Sequence, residues 1–342
     1  MQFGKRIRVL VVDDSLLFRE VLARGISSDV QIEVVATAKD PFDARDKIIS
    51  YEPDVMTCDI EMPKMNGIEF IQRLMPQYPL PVIVVSTISH AVFDAIRAGA
   101  VDFVVKPDVN AVNSVENFIT EMIIKIKIAS AAKIVYSKPS SVLDKLNVYA
   151  KTSTNHNIIA IGASTGGTEA IYNVLRYLPE QVPGIVVVQH IPIGFSRMFA
   201  ERMNTSTRLQ VKEAETGDYV EKGRVLIAPG DQHMKIKKIG ERYRVECYKD
   251  DKINGHCPSV DVLFESVAKE AGKKAIGVIL TGMGYDGAKG LLLMREKGAK
   301  TLGQDEKSSV VYGMPKVAFN IGAVEKQVSI EHMAQMICVM IK

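Results

Sequence analysis

Between residues 6 and 128, short runs of β-branched residues alternate with stretches whose apolar positions recur at helical spacing. IRVLVV, QIEVVATA, DVMTCDI, PVIVVST and DFVVKP predict five strands. Leu16 to Ser28, Asp40 to Ser50, Gly67 to Gln77, Ala91 to Ala98 and Ala111 to Lys127 predict the intervening helices. Alternation of this kind specifies an α/β domain with a five-stranded parallel sheet. Beyond Ala129 the periodicity dissolves into AAKIVYSKPSSVLDKLNVYAKTS, a Ser- and Lys-containing linker. The pattern then restarts. NIIAI, GIVVVQH, RVLIAP, AIGVIL and AKTLGQ predict the strands of a second, larger doubly wound α/β domain. Within it RVLIAPGDQHMKIKKIGERYRVEC has period-2 alternation and turn chemistry, an antiparallel excursion that would make the sheet mixed, though mostly parallel. The expected division is residues 1–128, a linker over 129–152, and 153–342.

A length of 342 residues agrees with two domains. The 43 basic and 40 acidic residues nearly cancel, and 47% of the chain is hydrophobic, which excludes disorder and names no polyanionic partner. Residues 1–125 carry 13 basic and 18 acidic residues, whereas 126–155 carry 5 and 1. The basic linker is therefore expected to be a solvated tether, with docking on the acidic first domain as the weaker reading. The apolar run Val9 to Val12 stops at Asp13 and Asp14, which suits neither a signal peptide nor a membrane span, so a cytoplasmic protein is expected. Cys58, Cys247, Cys257 and Cys338 lack zinc-ligand spacing and are expected as reduced thiols; any metal would be held by oxygen.

Two groups of residues at strand ends carry chemistry. Asp13 and Asp14 end the first strand and Asp59 the third, and ligands of open parallel sheets bind outside the carboxyl ends of strands. Converging carboxylates need a counter-charge, and hard oxygen ligands suit Mg²⁺. Ser86 and Lys106, at the ends of the fourth and fifth strands, complete a constellation able to bind a phosphoryl group. For Asp14 alone, capping the helix from Leu16 is as good a reading as metal binding. Together VVDDS, the single Asp of CDIEMPKMNG, VVST and VVKP resemble the response-regulator receiver domain, of flavodoxin-like fold. The resemblance implies Asp59 as phospho-acceptor, Asp13, Asp14 and Asp59 around Mg²⁺, Ser86 as switch hydroxyl and Lys106 as phosphate partner. Cys58, beside Asp59, is expected to be a buried strand residue facing away from that site.

In the second domain Gly162, Ala163, Ser164, Thr165 and Gly166 form a GxSxG turn between a strand and a helix, which exposes a nucleophile but also suits a phosphate cradle. His190 ends the next strand and is the natural base, with His233 and His256 as further candidates. His90 belongs to the first domain, His156 precedes the strand at its wrong end, and His332 is expected on the surface of the terminal helix. Asp286 follows AIGVIL and is the natural orienting acid, able at the same time to cap the helix from Gly287. Gly282 and Gly284 would let backbone N–H groups point outward as an oxyanion hole.

GASTGG, VVVQH, APGDQH, PSVDVLF, LTGMGYDGA and YGMP resemble the chemotaxis protein-glutamate methylesterases of the CheB type. That resemblance implies a triad of Ser164, His190 and Asp286, with Thr165 positioning the imidazole and the Met283 N–H in the oxyanion hole. Cys257 stands where many members carry Arg. The implied function is a phosphorylation-activated hydrolase of glutamate γ-methyl esters on methyl-accepting chemoreceptors that also deamidates selected glutamines. A chemotaxis histidine kinase would be its phosphodonor. Mg²⁺ is expected for receiver phosphorylation and no cofactor for hydrolysis, with no nucleic acid bound, no membrane insertion, and a monomer. The family implies that the unphosphorylated receiver covers the active site. The rival readings are a receiver-controlled nucleotide- or ligand-binding module without esterase activity and a DNA-binding output, the latter disfavoured by the small net charge and the strand-rich second half.

Overall fold

A computed structural model describes residues 5–87, 91–107, 114–133 and 158–341. The chain divides into two compact units, residues 1–138 and 139–342.

The first unit runs β1 (Ile7–Val12), α1 (Leu16–Ile26), β2 (Ile32–Ala38), α2 (Pro41–Tyr51), β3 (Val55–Asp59), α3 (Gly67–Leu74), β4 (Val82–Ser86), α4 (Ala91–Ala98), β5 (Asp102–Val105) and α5 (Ser114–Ser130). All five predicted strands form. They pair in parallel in the order β2-β1-β3-β4-β5. Every residue of β3 and β4 is buried, because helices cover both faces of the sheet. Each fully buried Val or Ile there contributes roughly 1.5–3 kcal/mol to stability. Helix starts follow side-chain caps: Ser15 accepts from the Phe18 N–H, Asp40 from Phe42 and Asp43, and Asn66 from Glu69. α5 continues to Ser130 with Ala129 buried, so the helix takes in the first two residues expected in the linker. Most of the expected linker, like residues 111–113, His90 and His156, lies outside the described residues.

The second unit contains β6 (Ile158–Ala163), α6 (Gly167–Leu175), β7 (Gly184–Gln189), α7 (Phe195–Ser206), β8 (Gln210–Glu213), β9 (Tyr219–Val220), β10 (Arg224–Ile227), β11 (His233–Ile239) and β12 (Arg242–Tyr248). It continues through α8 (Val260–Glu270), a 3₁₀ turn at Gly272–Lys274, β13 (Ala275–Ile279), α9 (Ala288–Glu296), β14 (Lys300–Gln304), α10 (Met314–Asn320), β15 (Lys326–Val328) and α11 (Ile330–Ile341). Seven strands form one sheet, ordered β15-β14-β13-β6-β7-β10-β8. Every ladder in that sheet is parallel. The antiparallel excursion does not mix it. Instead β11, β12 and β9 build a separate three-stranded sheet. The reason is burial: Met234, Ile236, Tyr243 and Val245 pack into the apolar cluster that holds Leu263, Phe264 and Val267 of α8. β8, β9 and β15 are short and have no apolar run, and their sequences gave no strand signal.

The chain leaves β6 toward β7 on one side and later returns to β13 on the other. This reversal opens a crevice at the carboxyl ends of β6, β7 and β13.

Candidate active site

Ser164 and His190 are the residues that follow β6 and β7, whose last pair in register is Ala163 with Gln189. Strand pairing therefore sets them side by side. The turn carrying Ser164 is tied down on several sides. Its N–H donates to the Thr281 carbonyl at 3.0 Å and its carbonyl accepts from the Gly167 N–H at 2.7 Å. The Gln189 amide donates to the Ser164 carbonyl at 2.9 Å and the His190 carbonyl at 3.1 Å, linking the two strand ends. Thr281 Oγ1 lies 3.0 Å from the Thr165 carbonyl and accepts from the Val311 N–H at 2.9 Å. A Cβ on Gly282 would stand 2.6 Å from Ser164 Cβ, so only glycine lets the two turns approach this closely.

The imidazole of His190 joins Asp286 through Nε2, 2.8 Å from Oδ2, and both side chains are almost completely buried. Its Nδ1 is buried without a hydrogen-bond partner among the described residues. Asp286 receives four further donors. The Val260 N–H reaches Oδ2 at 2.7 Å, while Oδ1 accepts from Ser259 Oγ at 2.7 Å, Asn254 Nδ2 at 2.9 Å and the Asp261 N–H at 3.2 Å. Burial pushes this carboxyl up, but the bond and charge of His190, with Asn254 and Ser259, overcome it and hold the group well below the usual carboxylate range. Asp286 is therefore ionised, and because a carboxylate only accepts, Nε2 is the ring nitrogen that donates to it. In the usual serine triad the acid sits on Nδ1; here Asp286 takes Nε2, and Nδ1 is the nitrogen left over.

The sequence profile of the family described as CheB methylesterase matches residues 159–337, more than half of the chain, and that of the response regulator receiver domain matches residues 9–115. The chain belongs to the CheB methylesterase family. A protein-glutamate methylesterase/protein-glutamine glutaminase of Syntrophomonas wolfei is 57% identical over 97% of this chain and 96% of its own length. One from Syntrophotalea carbinolica is 50% identical over 96% of both. The crystal structure of the Thermotoga maritima CheB methylesterase catalytic domain aligns with a TM-score of 0.53 at 37% identity, covering 54% of this chain and 98% of that one.

Several details of this CheB-family site differ from expectation. Asp286 caps α8, through Val260 and Asp261, and not α9. Asp261 returns the favour: its Oδ1 accepts from the Gly290 N–H at 2.7 Å in the first turn of α9, so the two helices cap each other. Gly282 is not an outward donor, because its N–H is taken by the Val311 carbonyl at 3.0 Å. The N–H groups of Met283 and Gly284, by contrast, have no acceptor among the described residues. Met283 is half exposed and Thr165 buried.

His233 is a structural histidine, since its Nε2 lies 3.0 Å from the Asp251 carbonyl and its Nδ1 accepts from the Ser259 N–H. His332 is on α11, bonded to Ser329 at an exposed position, as expected. Cys257 is partly buried, and burial pushes its thiol up. Asn254, Ser259, Asp261 and Thr281 were not singled out in the sequence. The Asn-Gly pair at 254–255 was the one available signal, marking a tight turn without saying what its side chain meets.

In the first unit the expected residues converge. Carboxylate oxygens of Asp13, Asp14 and Asp59 lie within 4.8 Å of one another. Lys106 Nζ stands 2.6 Å from Asp59 and 3.0 Å from Asp13, over the ring of Phe18. Burial pushes Asp59 up, Lys106 pulls it down and Asp13 adds repulsion, leaving it at about 6. Burial also disfavours the Lys106 charge, yet its two carboxylates more than compensate and raise its pKa. Ser15, not Asp14, caps α1, which leaves the exposed Asp14 carboxylate free of that duty. Ser86 is buried at the end of β4, its carbonyl accepting from the Lys106 N–H. Cys58 is fully buried, and burial beside Asp59 keeps it a thiol. Three carboxylates against one ammonium, with two of the three buried, fit a divalent cation held by oxygen.

Proposed function

We propose that this chain removes methyl groups from glutamate γ-methyl esters of chemoreceptors and deamidates selected glutamines, under control of its receiver. Ser164 is the nucleophile, His190 the base and Asp286 the orienting acid. The observation that carries the reading is the His190–Asp286 bond at 2.8 Å, which leaves Nδ1 without a partner among the described residues on a strand end paired with the one that carries Ser164. A phosphate cradle has no use for a buried, carboxylate-oriented base, which disfavours the ligand-binding alternative.

The chemistry follows from the ring's tautomer. As Ser164 Oγ bonds to the ester carbonyl carbon, its proton passes to His190 Nδ1 and the carbonyl electrons move onto oxygen. The N–H groups of Met283 and Gly284 are free to hold that oxyanion, and Thr165 keeps the turn and imidazole in place. The tetrahedral species collapses, the C–O bond to the methoxy group breaks, and the imidazolium returns the proton to release methanol. Water, deprotonated by His190, then adds to the acyl-serine; its collapse leaves glutamate and restores Ser164. With a glutamine substrate the leaving group is ammonia. Asp286 stays ionised throughout and stabilises the imidazolium.

In the receiver, Asp59 is the phospho-acceptor, with a chemotaxis histidine kinase as donor. Asp13, Asp14 and Asp59 would hold Mg²⁺, which supplies positive charge for a transferred phosphoryl group. Lys106 neutralises further charge on that group, and Ser86 is the switch hydroxyl. Among the described residues, no helix is long and apolar enough to cross a membrane.

Methanol release from methylated receptor membranes tests the reading. Ser164→Ala should lower turnover at least ~10³-fold and abolish labelling by a fluorophosphonate. Unchanged release or labelling would return the Gly-rich turn to a binding role.

A further inference from the structure

Ile253 and His256 close a turn with backbone bonds of 3.0 Å in both directions. Asn254 and Gly255 between them take left-handed backbone, φ 54° and 83°, the geometry that Asn-Gly adopts in a two-residue hairpin turn. This turn touches the catalytic pair twice. The Asn254 amide bridges Asp286 at 2.9 Å and Asp261 at 2.7 Å. The ring of His256 lies face to face on that of His190, with centroids 3.6 Å apart and planes within 11°.

His190 needs such a support. Among the described residues its imidazole makes one hydrogen bond, to Asp286, and the nitrogen that must meet the serine has none. A ring hung from a single bond can swing about it, and swinging carries Nδ1 off the line to Ser164. Contact over the whole ring face removes that freedom at no cost in hydrogen bonds, because it uses neither nitrogen. We propose that His256 is a positioning residue whose ring clamps the His190 imidazole and keeps Nδ1 directed at Ser164. The proposal rests on the reading of Ser164, His190 and Asp286 as the triad.

The clamp also suits the charge that catalysis creates. The groups acting on His256 are His190, Asp286 and Lys252, and burial together with the first and last outweighs Asp286, bringing its pKa down to about 4. It is thus neutral at pH 7 and presents a π face, not a second cation, to the imidazolium formed during turnover.

Full-length chain carrying His256→Ala, His256→Phe or Ser164→Ala, assayed by methanol release, separates the possibilities. Loss of the clamp should lower kcat about 10- to 100-fold while KM changes less than about threefold, because misplacement of a catalytic group by about 1 Å is felt in the chemical step. The flat ring of His256→Phe should recover kcat to within about fivefold of wild type. The deshielded Nε2–H proton of His190, read by NMR, should broaden in His256→Ala and sharpen again in His256→Phe. Thermal melting of each variant separates loss of the ring from loss of fold. Wild-type kcat in His256→Ala overturns the clamp, and so does a His256→Phe variant that melts normally yet is as slow as His256→Ala. Those results leave the triad standing if Ser164→Ala is inactive; full activity of Ser164→Ala overturns the triad reading, and the clamp with it.

Discussion

Asp59 and Asp286 are both buried aspartates at the carboxyl edge of a parallel sheet, yet their environments drive them in opposite directions. Asp286 sits among five donors, two of them backbone N–H groups of α8, and stays ionised far below the usual range. Asp59 has Lys106 and one longer bond of 3.3 Å from the Glu61 N–H, faces Asp13, and lies at about 6. Burial is common to both; the supply of donors decides the sign. A carboxylate whose task is to remain a fixed charge is solvated by the protein. One proposed to bind a cation and accept a phosphoryl group is left partly unsatisfied, so that an incoming partner would complete it.

The contrast breaks most visibly at Asp286. Asp286→Asn replaces an acceptor oxygen with an NH₂ group amid five donors and removes the charge that fixes the His190 tautomer. Methanol release should fall about 10³–10⁴-fold. Turnover within tenfold of wild type would show that the carboxylate does not orient the base.

Asp59→Asn should act with the opposite sign on stability. A carboxyl whose folded pKa lies above its unfolded value stabilises the fold fully below the unfolded pKa near 4, and loses that contribution as pH rises through about 6. At pH 7 the neutral amide should therefore stabilise the receiver by up to about 3 kcal/mol, with the gain vanishing near pH 4. It should also abolish stimulation of methanol release by a small phosphodonor. Melting of the full chain across that pH range, followed with a receiver-specific probe, checks the sign; a destabilised variant at pH 7 would refute the account of Asp59.

The smallest effect sharpens the other half of the comparison. Ser259→Ala removes one of the five donors to Asp286 and should destabilise the catalytic unit by about 1–3 kcal/mol at neutral pH. Asp286 stabilises the fold above its unfolded pKa, and that contribution is lost as pH falls toward its depressed folded value. The penalty in Ser259→Ala should accordingly shrink in acid. A penalty that is the same at pH 7 and at a pH below the depressed folded value of Asp286 would mean the hydroxyl does not act through the charge.

Much of this was legible in the chain. Regular alternation of apolar runs and amphipathic stretches specified both α/β units, and strand-end position selected Asp13, Asp59, Lys106, Ser164 and His190, because parallel strands deliver their last residues to one edge. Asp14 is ambiguous between cap and ligand from sequence alone, because only the structure shows that Ser15 caps α1. The separate β11–β12 sheet was hidden because period-2 alternation says which face is buried and not against what. The five donors around Asp286 were equally hidden: Asn254 and Ser259 are 32 and 27 residues away in sequence, and no local pattern marks them as its partners.

The sequence by itself determined the fold class, the residue types at each strand end, and hence the chemistry available there: a carboxylate cluster in one unit, a serine, histidine and aspartate in the other. Tertiary structure decided which nitrogen of His190 faces the acid, which helix Asp286 caps, which amides beside Gly282 have no acceptor among the described residues, and that His256 lies on the His190 ring. The physical reason is range. Strand-end placement follows from short-range periodicity and the handedness of the crossovers, whereas a hydrogen bond or ring stack needs atoms set within about 3–4 Å by packing between distant segments.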